Sequence, residues 1–175
     1  MIRVTKYSHK LISEKKNIKT AIDMTVGNGN DTVFLANLSE FVYGFDIQKI
    51  AISKTNELLQ SKNFTNYLLI NDSHENIDKY NIKNIDIAIY NLGYLPNGDK
   101  TVTTNTKTTL SSLEKLLKIL NPEGEIVLVV YSHNKSESDA LISYTKKLNA
   151  SYDVIKHEII NKEDAPYILL IKKGS

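Results

Sequence analysis

The sequence contains no cysteine. That absence excludes disulfide bonds, thiolate catalysis and metal sites built from thiolates. The four histidines stand at positions 9, 74, 133 and 157, and no two of them have the i, i+4 spacing that a helical zinc site uses. We therefore expect neither a structural nor a catalytic metal ion.

The chain also lacks a strong net charge and long apolar runs. Lysine and arginine total 22 and aspartate and glutamate total 20, so the formal net charge is only +2 and any basic surface must come from local clustering. No run approaches the roughly 20 apolar residues that cross a bilayer, and residues 1–19 carry lysines where a secretory signal has an apolar core. We expect a cytoplasmic protein without a membrane partner, folded as one domain over residues 1–175.

Glycine is scarce, with seven residues in the chain, yet two of them lie close together at Gly27 and Gly29. Glycine allows positive φ angles and a close approach of ligand to backbone, and Asp46, at the end of the next strand, can accept hydrogen bonds from both ribose hydroxyls. Thr32 replaces the third glycine of dinucleotide enzymes, which favours another adenosine-bearing ligand. A simple tight connection is the alternative. The predicted βαβ unit consists of a strand, a helix and a strand at 22–25, 32–38 and 42–46.

After Asp46 the apolar pattern continues to alternate between helix and strand. The last two predicted strands follow each other without a helix and should pair in antiparallel fashion at the sheet edge. The pattern predicts an α/β fold with an open, mostly parallel sheet and helices on both faces. The further predicted helices are 49–59, 104–120 and 136–148, and the further strands are 67–70, 85–90, 126–131, 152–160 and 167–172.

Four predicted strands are followed by polar or glycine-bearing segments, at 27–30, 46–48, 72–74 and 91–94. In open α/β sheets, ligands bind at the carboxyl ends of the strands, near the point where the strand order reverses. We therefore expect these four segments to meet at one site.

Three stretches of the chain resemble a known family: DMTVGNGNDT at 23–32, VYGFDIQ at 42–48 and NLGYLPNGDK at 91–100. Over nearly its whole length the chain is similar to class I S-adenosylmethionine-dependent methyltransferases, whose Rossmann-like sheet has seven strands and an antiparallel C-terminal hairpin. Within that class the three stretches look like the small bacterial rRNA-methylase-like family.

The resemblance implies S-adenosylmethionine as the cofactor and a tRNA anticodon stem-loop as the partner. It implies methylation of the 5-aminomethyl nitrogen of 5-aminomethyl-2-thiouridine at wobble position 34, which gives 5-methylaminomethyl-2-thiouridine. Two alternatives stay open. The same fold could methylate rRNA or a small-molecule or protein amine, or the chain could be a non-catalytic nucleotide-binding module.

The resemblance also implies cofactor contacts in three groups. The glycine loop would surround the methionine part, Asp46 would hold the ribose with Ile47 and Gln48 beside the adenosine, and the segment after the third strand would reach the adenine edge. A helix cap is the alternative role for Asp31 or Thr32, and an exposed loop position is the alternative for His74. The implied cofactor residues are Thr25, Gly27, Asn28, Gly29, Asn30, Asp31, Thr32, Asp46, Ile47, Gln48, Asp72, Ser73, His74, Asn91 and Gly93.

Residues 91–94, Asn-Leu-Gly-Tyr, resemble the Asn-Pro-Pro-Tyr motif of N-methyltransferases. An amine must be held with its lone pair along the line of the methyl–sulfonium bond, and Asn91 can accept its N–H bonds while Tyr94 stacks on the base. An ordinary turn is the alternative. The substrate amine must first lose a proton, and Asp99, His133 and His9 are the candidate bases or orienting groups.

RNA contacts are expected from lysines near the site. Lys10, in a lysine-bearing N-terminal segment, and Lys100, beside the active loop, are candidate phosphate contacts, and His9 lies next to Lys10. A solvated face is the alternative for the N-terminal lysines. Tyr94 is the candidate for stacking on an extruded anticodon base. A homodimer would enlarge the protein surface that can contact tRNA, and the oligomeric state is left undecided.

Overall fold

A seven-stranded sheet with helices on both faces forms the centre of the computed structural model, which describes residues 3–93, 105–131 and 135–175. The strands are β1 (Ile18–Asp23), β2 (Ser39–Phe45), β3 (Tyr67–Ile70), β4 (Ile85–Leu92), β5 (Leu120–Val130), β6 (Tyr152–His157) and β7 (Tyr167–Lys173). The helices are α1 (Val4–Ser13), α2 (Asn30–Leu38), α3 (Lys49–Ser61), α4 (Thr106–Ile119) and α5 (Lys135–Thr145), and a 3₁₀ helix covers His74–Tyr80.

The strand order across the sheet is β3-β2-β1-β4-β5-β7-β6. The strands from β3 to β5 are parallel, whereas β7 runs antiparallel to both β5 and β6. This arrangement confirms the predicted mostly parallel sheet and its antiparallel C-terminal hairpin. The order reverses between β1 and β4, because the chain builds outward through β2 and β3 and then returns to the other side of β1.

Alternate residues of β5 are buried on opposite faces of the sheet. Ile126 and Leu128 belong to the core cluster that includes Leu113 of α4, whereas Val127 belongs to the cluster that includes Leu35 of α2. A strand that is covered on both faces is apolar at every position, which explains the continuous apolar run in the sequence. Each such side chain contributes about 1.5–3 kcal/mol through burial.

Several element boundaries differ from the predicted ones. β1 spans Ile18–Asp23 where 22–25 was predicted, because the Asp23 carboxylate accepts a hydrogen bond from the Thr25 N–H at 3.0 Å and the chain turns there. Residues 121–124 bulge out of the β4–β5 ladder, so β5 begins at Leu120. Both α1 and the 3₁₀ helix were absent from the predicted elements.

Helix α1 packs against the sheet on the same face as α2. Its Ile12 is fully buried in the core cluster with Leu35 and Val127. The helix thereby brings its own polar side chains to the carboxyl ends of the strands, where His9 meets Asp31 of α2. No helix in the described ranges is long and apolar enough to cross a membrane.

Candidate active site

A cavity of about 740 Å³ opens at the carboxyl edge of the sheet, beside the point between β1 and β4 where the strand order reverses. Segments from four strand ends line it, as the sequence predicted, together with residues of α1 and α4. Thirteen of the predicted site residues line this cavity, namely His9, Thr25, Gly27, Asn28, Asn30, Asp31, Asp46, Ile47, Gln48, Ser73, His74, Asn91 and Gly93.

The loop between β1 and α2 depends on its two glycines. Gly27 and Gly29 have φ angles of 53° and 77°, in the left-handed region that side chains rarely adopt. A Cβ at Gly29 would also lie 2.6 Å from the Thr55 hydroxyl of α3. Gly29 is the N-cap of α2 and does not line the cavity, so its contribution is to shape the loop. The helix cap therefore belongs to Gly29, and not to Asp31 or Thr32.

Asp46 lies at the end of β2 with its carboxylate at the cavity wall. One oxygen accepts a hydrogen bond from the Gly27 N–H at 2.8 Å and the other accepts one from the Gln48 N–H at 2.8 Å. Burial raises the pKa of Asp46, and these two N–H donors oppose the rise. A carboxylate has about four acceptor positions, so about two remain for a ligand.

A second polar group lines the same cavity, where three side chains from different elements meet. The Nε2 atom of His9 lies 2.6 Å from one Asp31 oxygen, and the Asn91 side-chain N–H₂ donates to the other at 3.4 Å. The Asn91 backbone N–H donates to the Thr25 hydroxyl at 2.7 Å, which fixes the end of β4 against the glycine loop. Asp31 is therefore shared between α1 and β4.

Asp23 is a charged residue of this region that the sequence analysis did not include among the site residues. It is fully buried beneath the loop, where its carboxylate accepts hydrogen bonds from the Thr25 N–H at 3.0 Å and the Thr32 hydroxyl at 2.6 Å. Burial raises its pKa to about 7, and the nearby charge of Asp31 adds to the rise. Thr32 accordingly points to Asp23 and does not line the cavity. An acid between the apolar residues Ile22 and Met24 was the available signal.

The segment after β3 divides its polar residues between the cavity and the surface. Asp72 does not line the cavity; it accepts hydrogen bonds from the Ser73 N–H, the Asn76 side chain and the Tyr80 hydroxyl, all within 2.8 Å. The Asn76 and Tyr80 hydrogen bonds lower the pKa of Asp72. Asp72 thus fastens the 3₁₀ helix, and only its neighbours Ser73 and His74 face the cavity.

His74 is buried, so its alternative assignment as an exposed loop residue is wrong. Its ring packs edge-on against Tyr90, with 5.8 Å between the ring centroids. Burial lowers its pKa, which favours the neutral imidazole. Its Nε2 atom has no hydrogen-bond partner among the described residues.

The remaining predicted residues fall outside this geometry. Tyr94, Asp99, Lys100 and His133 lie outside the described residues. Lys10 is exposed on α1 and does not line the cavity. Two other cations of the same segment, Arg3 and Lys6, do line it, and neither was predicted, because no helix was predicted there.

Within 3–93, 105–131 and 135–175 there is no group of three or more histidine, aspartate or glutamate side chains that could hold a metal ion. Two carboxylates, Asp31 and Asp46, line the cavity, and each is already bonded to protein groups.

Comparisons with known proteins agree with this geometry. A family model described as "Putative rRNA methylase" matches residues 42–173. The chloroplastic tRNA (mnm5s2U34)-methyltransferase of Arabidopsis thaliana is 34% identical over 172 residues, covering 88% of this chain and 63% of that protein. The chain thus spans less than two thirds of the length of this curated relative.

Two solved structures match along almost the whole chain. A "putative methyltransferase" of Streptococcus mutans, crystallised in complex with S-adenosylhomocysteine, is 38% identical, with a TM-score of 0.92 over 99% of both chains. A "putative rRNA-methylase" of Clostridium thermocellum is 33% identical, with a TM-score of 0.93 over 99% of this chain and 98% of that one. The sheet is that of the class I methyltransferases, and the chain belongs to the rRNA methylase family that its motifs predicted.

Proposed function

We propose that this protein binds S-adenosylmethionine and methylates the amine of 5-aminomethyl-2-thiouridine at position 34 of tRNA, with 5-methylaminomethyl-2-thiouridine as the product. The observation that carries the proposal is the cavity at the strand-order reversal, which is lined by Asp46 and by the hydrogen-bonded group of His9, Asp31 and Asn91. The 34% identity to a plant protein named for this tRNA position supports the choice of substrate.

The residues on the Asp46 side fit the adenosine half of the cofactor. The acceptor positions left on the Asp46 carboxylate match in number the two hydroxyls of a ribose. Ile47 next to it is 54% exposed and offers an apolar surface for the adenine, with Ser73 and His74 at the same side of the cavity. The cavity volume lies in the usual range for small-molecule sites, about 300–1,000 Å³.

The glycine loop fits the remainder of the cofactor. Gly27 presents backbone without a Cβ at the cavity wall, and Asn28 and Asn30 add polar side chains beside it. When bound, S-adenosylmethionine supplies an activated sulfonium methyl group. The protein then has to position the amine, exclude water and accept one proton.

Asn91 is proposed to position the substrate amine. It lines the cavity, its backbone is fixed by the Thr25 hydroxyl, and its side-chain N–H₂ faces Asp31. That orientation leaves the amide oxygen of Asn91 free of any hydrogen bond from the described residues, so it can accept an N–H bond from the amine.

Arg3 and Lys6 support an RNA substrate. Both are exposed, both line the cavity, and neither forms an ion pair with a described residue. Cations at the rim of a cavity can bind the phosphates on either side of a nucleotide that enters it. Methylation of rRNA is the second candidate, favoured by the family description. The cytoplasmic location, the single domain over 1–175 and the homodimer stay predictions.

The experiment that tests the proposal is incubation of the purified protein with methyl-labelled S-adenosylmethionine and tRNA from cells that lack its gene, followed by nucleoside analysis. Label in 5-methylaminomethyl-2-thiouridine is the expected result. Asn91→Ala should abolish transfer but retain cofactor binding, and Asp153→Asn, an exposed position on β6, is the matched control. Cofactor binding without label in tRNA would reject the substrate, and label in rRNA would select the second candidate.

A further inference from the structure

His9 is held in one orientation by contacts on two sides. Its Nε2 atom lies 2.6 Å from the Asp31 carboxylate. Its ring stacks on Phe34 with 3.8 Å between the centroids and 1° between the planes. Asp31 is only 7% exposed, so its bond to His9 is largely protected from water. The imidazole is therefore fixed in place at the cavity wall, although it comes from the N-terminal helix and its partners come from α2.

The bond to Asp31 determines which nitrogen of His9 can accept a proton. An ionised carboxylate accepts hydrogen bonds only, so Nε2 of a neutral His9 carries the hydrogen and Nδ1 carries the lone pair. No described residue forms a hydrogen bond with Nδ1. His9 thus has a free basic nitrogen on a ring that lines the cavity.

We propose that His9 is the group that accepts the substrate's proton, with Asp31 as the residue that positions it; this rests on the proposed function. One N–H bond of the substrate ammonium breaks and its proton passes to Nδ1. The freed nitrogen pair forms the N–CH₃ bond while the methyl–sulfur bond breaks and leaves its electron pair on sulfur. The product is a secondary ammonium and a thioether, and His9 releases its proton to water.

The other ionisable groups near the cavity in the described residues are less suited to this role. Both Asp46 oxygens already accept hydrogen bonds from backbone N–H groups. Asp23 is buried under the loop and does not line the cavity. His74 has its ring packed against Tyr90, and its Nε2 atom is inaccessible. Asn91 shares Asp31 with His9, which places the proposed amine contact and the proposed base on one carboxylate.

Several charged groups lie on His9's own helix and on the elements packed against that helix. Asp31 of α2 contacts His9 directly, and Asp23 of β1 is close enough to Asp31 for their charges to interact. Lys6 and Lys10 are on its own helix, and Arg3 is the N-cap residue of that helix. The other elements packed against α1 are β5 and β7, where Glu125 pairs with Lys172 at 3.0 Å and Tyr167 bonds to Ser138 at 2.8 Å. The remaining ionisable groups of these two strands are Glu123 and Lys173.

The test compares single-turnover methylation rates of the wild type and His9→Gln across pH. Glutamine can still hydrogen-bond to Asp31 but cannot take a proton. We expect a rate at least about 100-fold lower for His9→Gln near pH 7, the lower end of the range for general-base catalysis. The variant's rate should then rise about tenfold per pH unit. It should approach the wild-type rate where the substrate ammonium loses its proton to water without a base, near pH 10 for a lysine-like amine.

Two further measurements separate a base from a structural contact. Added imidazole should restore transfer to His9→Ala, since the space beside Phe34 is then empty, and should not stimulate the wild type. Calorimetry should give His9→Gln the wild-type affinity for S-adenosylmethionine. His157→Gln is the matched control, because His157 contacts Tyr7 on α1 and lies outside the cavity.

The outcomes distinguish this inference from the proposed function. If the wild type transfers no label to tRNA, the proposed function fails. If the wild type is active, three results for His9→Gln would leave the function standing and show that His9 is not the base. These are an unchanged methylation rate, a rate reduced by the same factor at every pH, and a loss of cofactor binding. A failure of imidazole to restore methyl transfer to His9→Ala would also count against His9 as the base.

Discussion

Replacement of Asp23 by asparagine should stabilise the protein at neutral pH and leave it little changed in mild acid. Asp23 is fully buried, and burial together with the charge of Asp31 raises its pKa to about 7 from an ordinary value of 3.8. The protonated form is therefore favoured in the folded protein. Its contribution to stability is fully present below about pH 4 and is lost as the pH rises through 7.

The magnitude follows from the difference between the two pKa values. Each pKa unit corresponds to 1.36 kcal/mol, so the shift from 3.8 to about 7 amounts to about 4 kcal/mol as an upper figure. Asparagine keeps the hydrogen bonds of the site: its amide oxygen can accept from the Thr25 N–H, and its N–H₂ can donate to the Thr32 hydroxyl, which rotates to accept. Because asparagine is neutral, the variant avoids the free-energy cost of a buried ionised carboxylate.

The assay is equilibrium unfolding in urea, followed by far-UV circular dichroism because the chain has no tryptophan. The difference in unfolding free energy between Asp23→Asn and wild type should increase as the pH rises from 4.5 to about 7 and level off above that pH. Taking this difference cancels the titration of groups that both proteins share. Asp153→Asn, an exposed carboxylate on β6, should change stability by less than about 0.5 kcal/mol. A difference for Asp23→Asn that is independent of pH would refute the reasoning.

Three further predictions concern the loop, the cofactor and the RNA. Asp46→Ala should weaken S-adenosylmethionine binding at least about 100-fold in calorimetry, through loss of two charge-assisted hydrogen bonds of about 1.5–3 kcal/mol each, and an unchanged Kd would contradict this. Gly29→Ala should lower the unfolding free energy by about 1–3 kcal/mol, and a Thr55→Ala background, which removes the 2.6 Å contact but not the strain of the positive φ angle, should restore only part of it. Lys6→Gln should reduce the slope of log Kd for tRNA against log salt by about 0.7–0.9, whereas Lys83→Gln, at the opposite edge of the sheet, should leave it unchanged.

The cofactor side of the cavity was predictable because its residues are close in sequence. Gly27 and Asp46 belong to one βαβ unit, in which strand length and turn chemistry fix where the second strand ends relative to the loop. The alternation of apolar runs likewise predicted the sheet and its hairpin, because burial on both faces requires it. Asp72 is one exception. It occupies the expected strand end but bonds to the 3₁₀ helix that follows, a short-range competition that strand pattern does not reveal.

The sequence by itself therefore determined the class of fold, the family and the ligand edge of the sheet, since all three depend on local periodicity and short motifs. Only the tertiary structure determined that the N-terminal helix covers this edge. His9 and Asp31 are 22 residues apart, and Asn91 is a further 60 residues along the chain. Sequence spacing carries no information about such contacts until the strand order places α1, α2 and β4 side by side. The same packing buries Asp23, and burial, rather than its neighbours in sequence, raises its pKa.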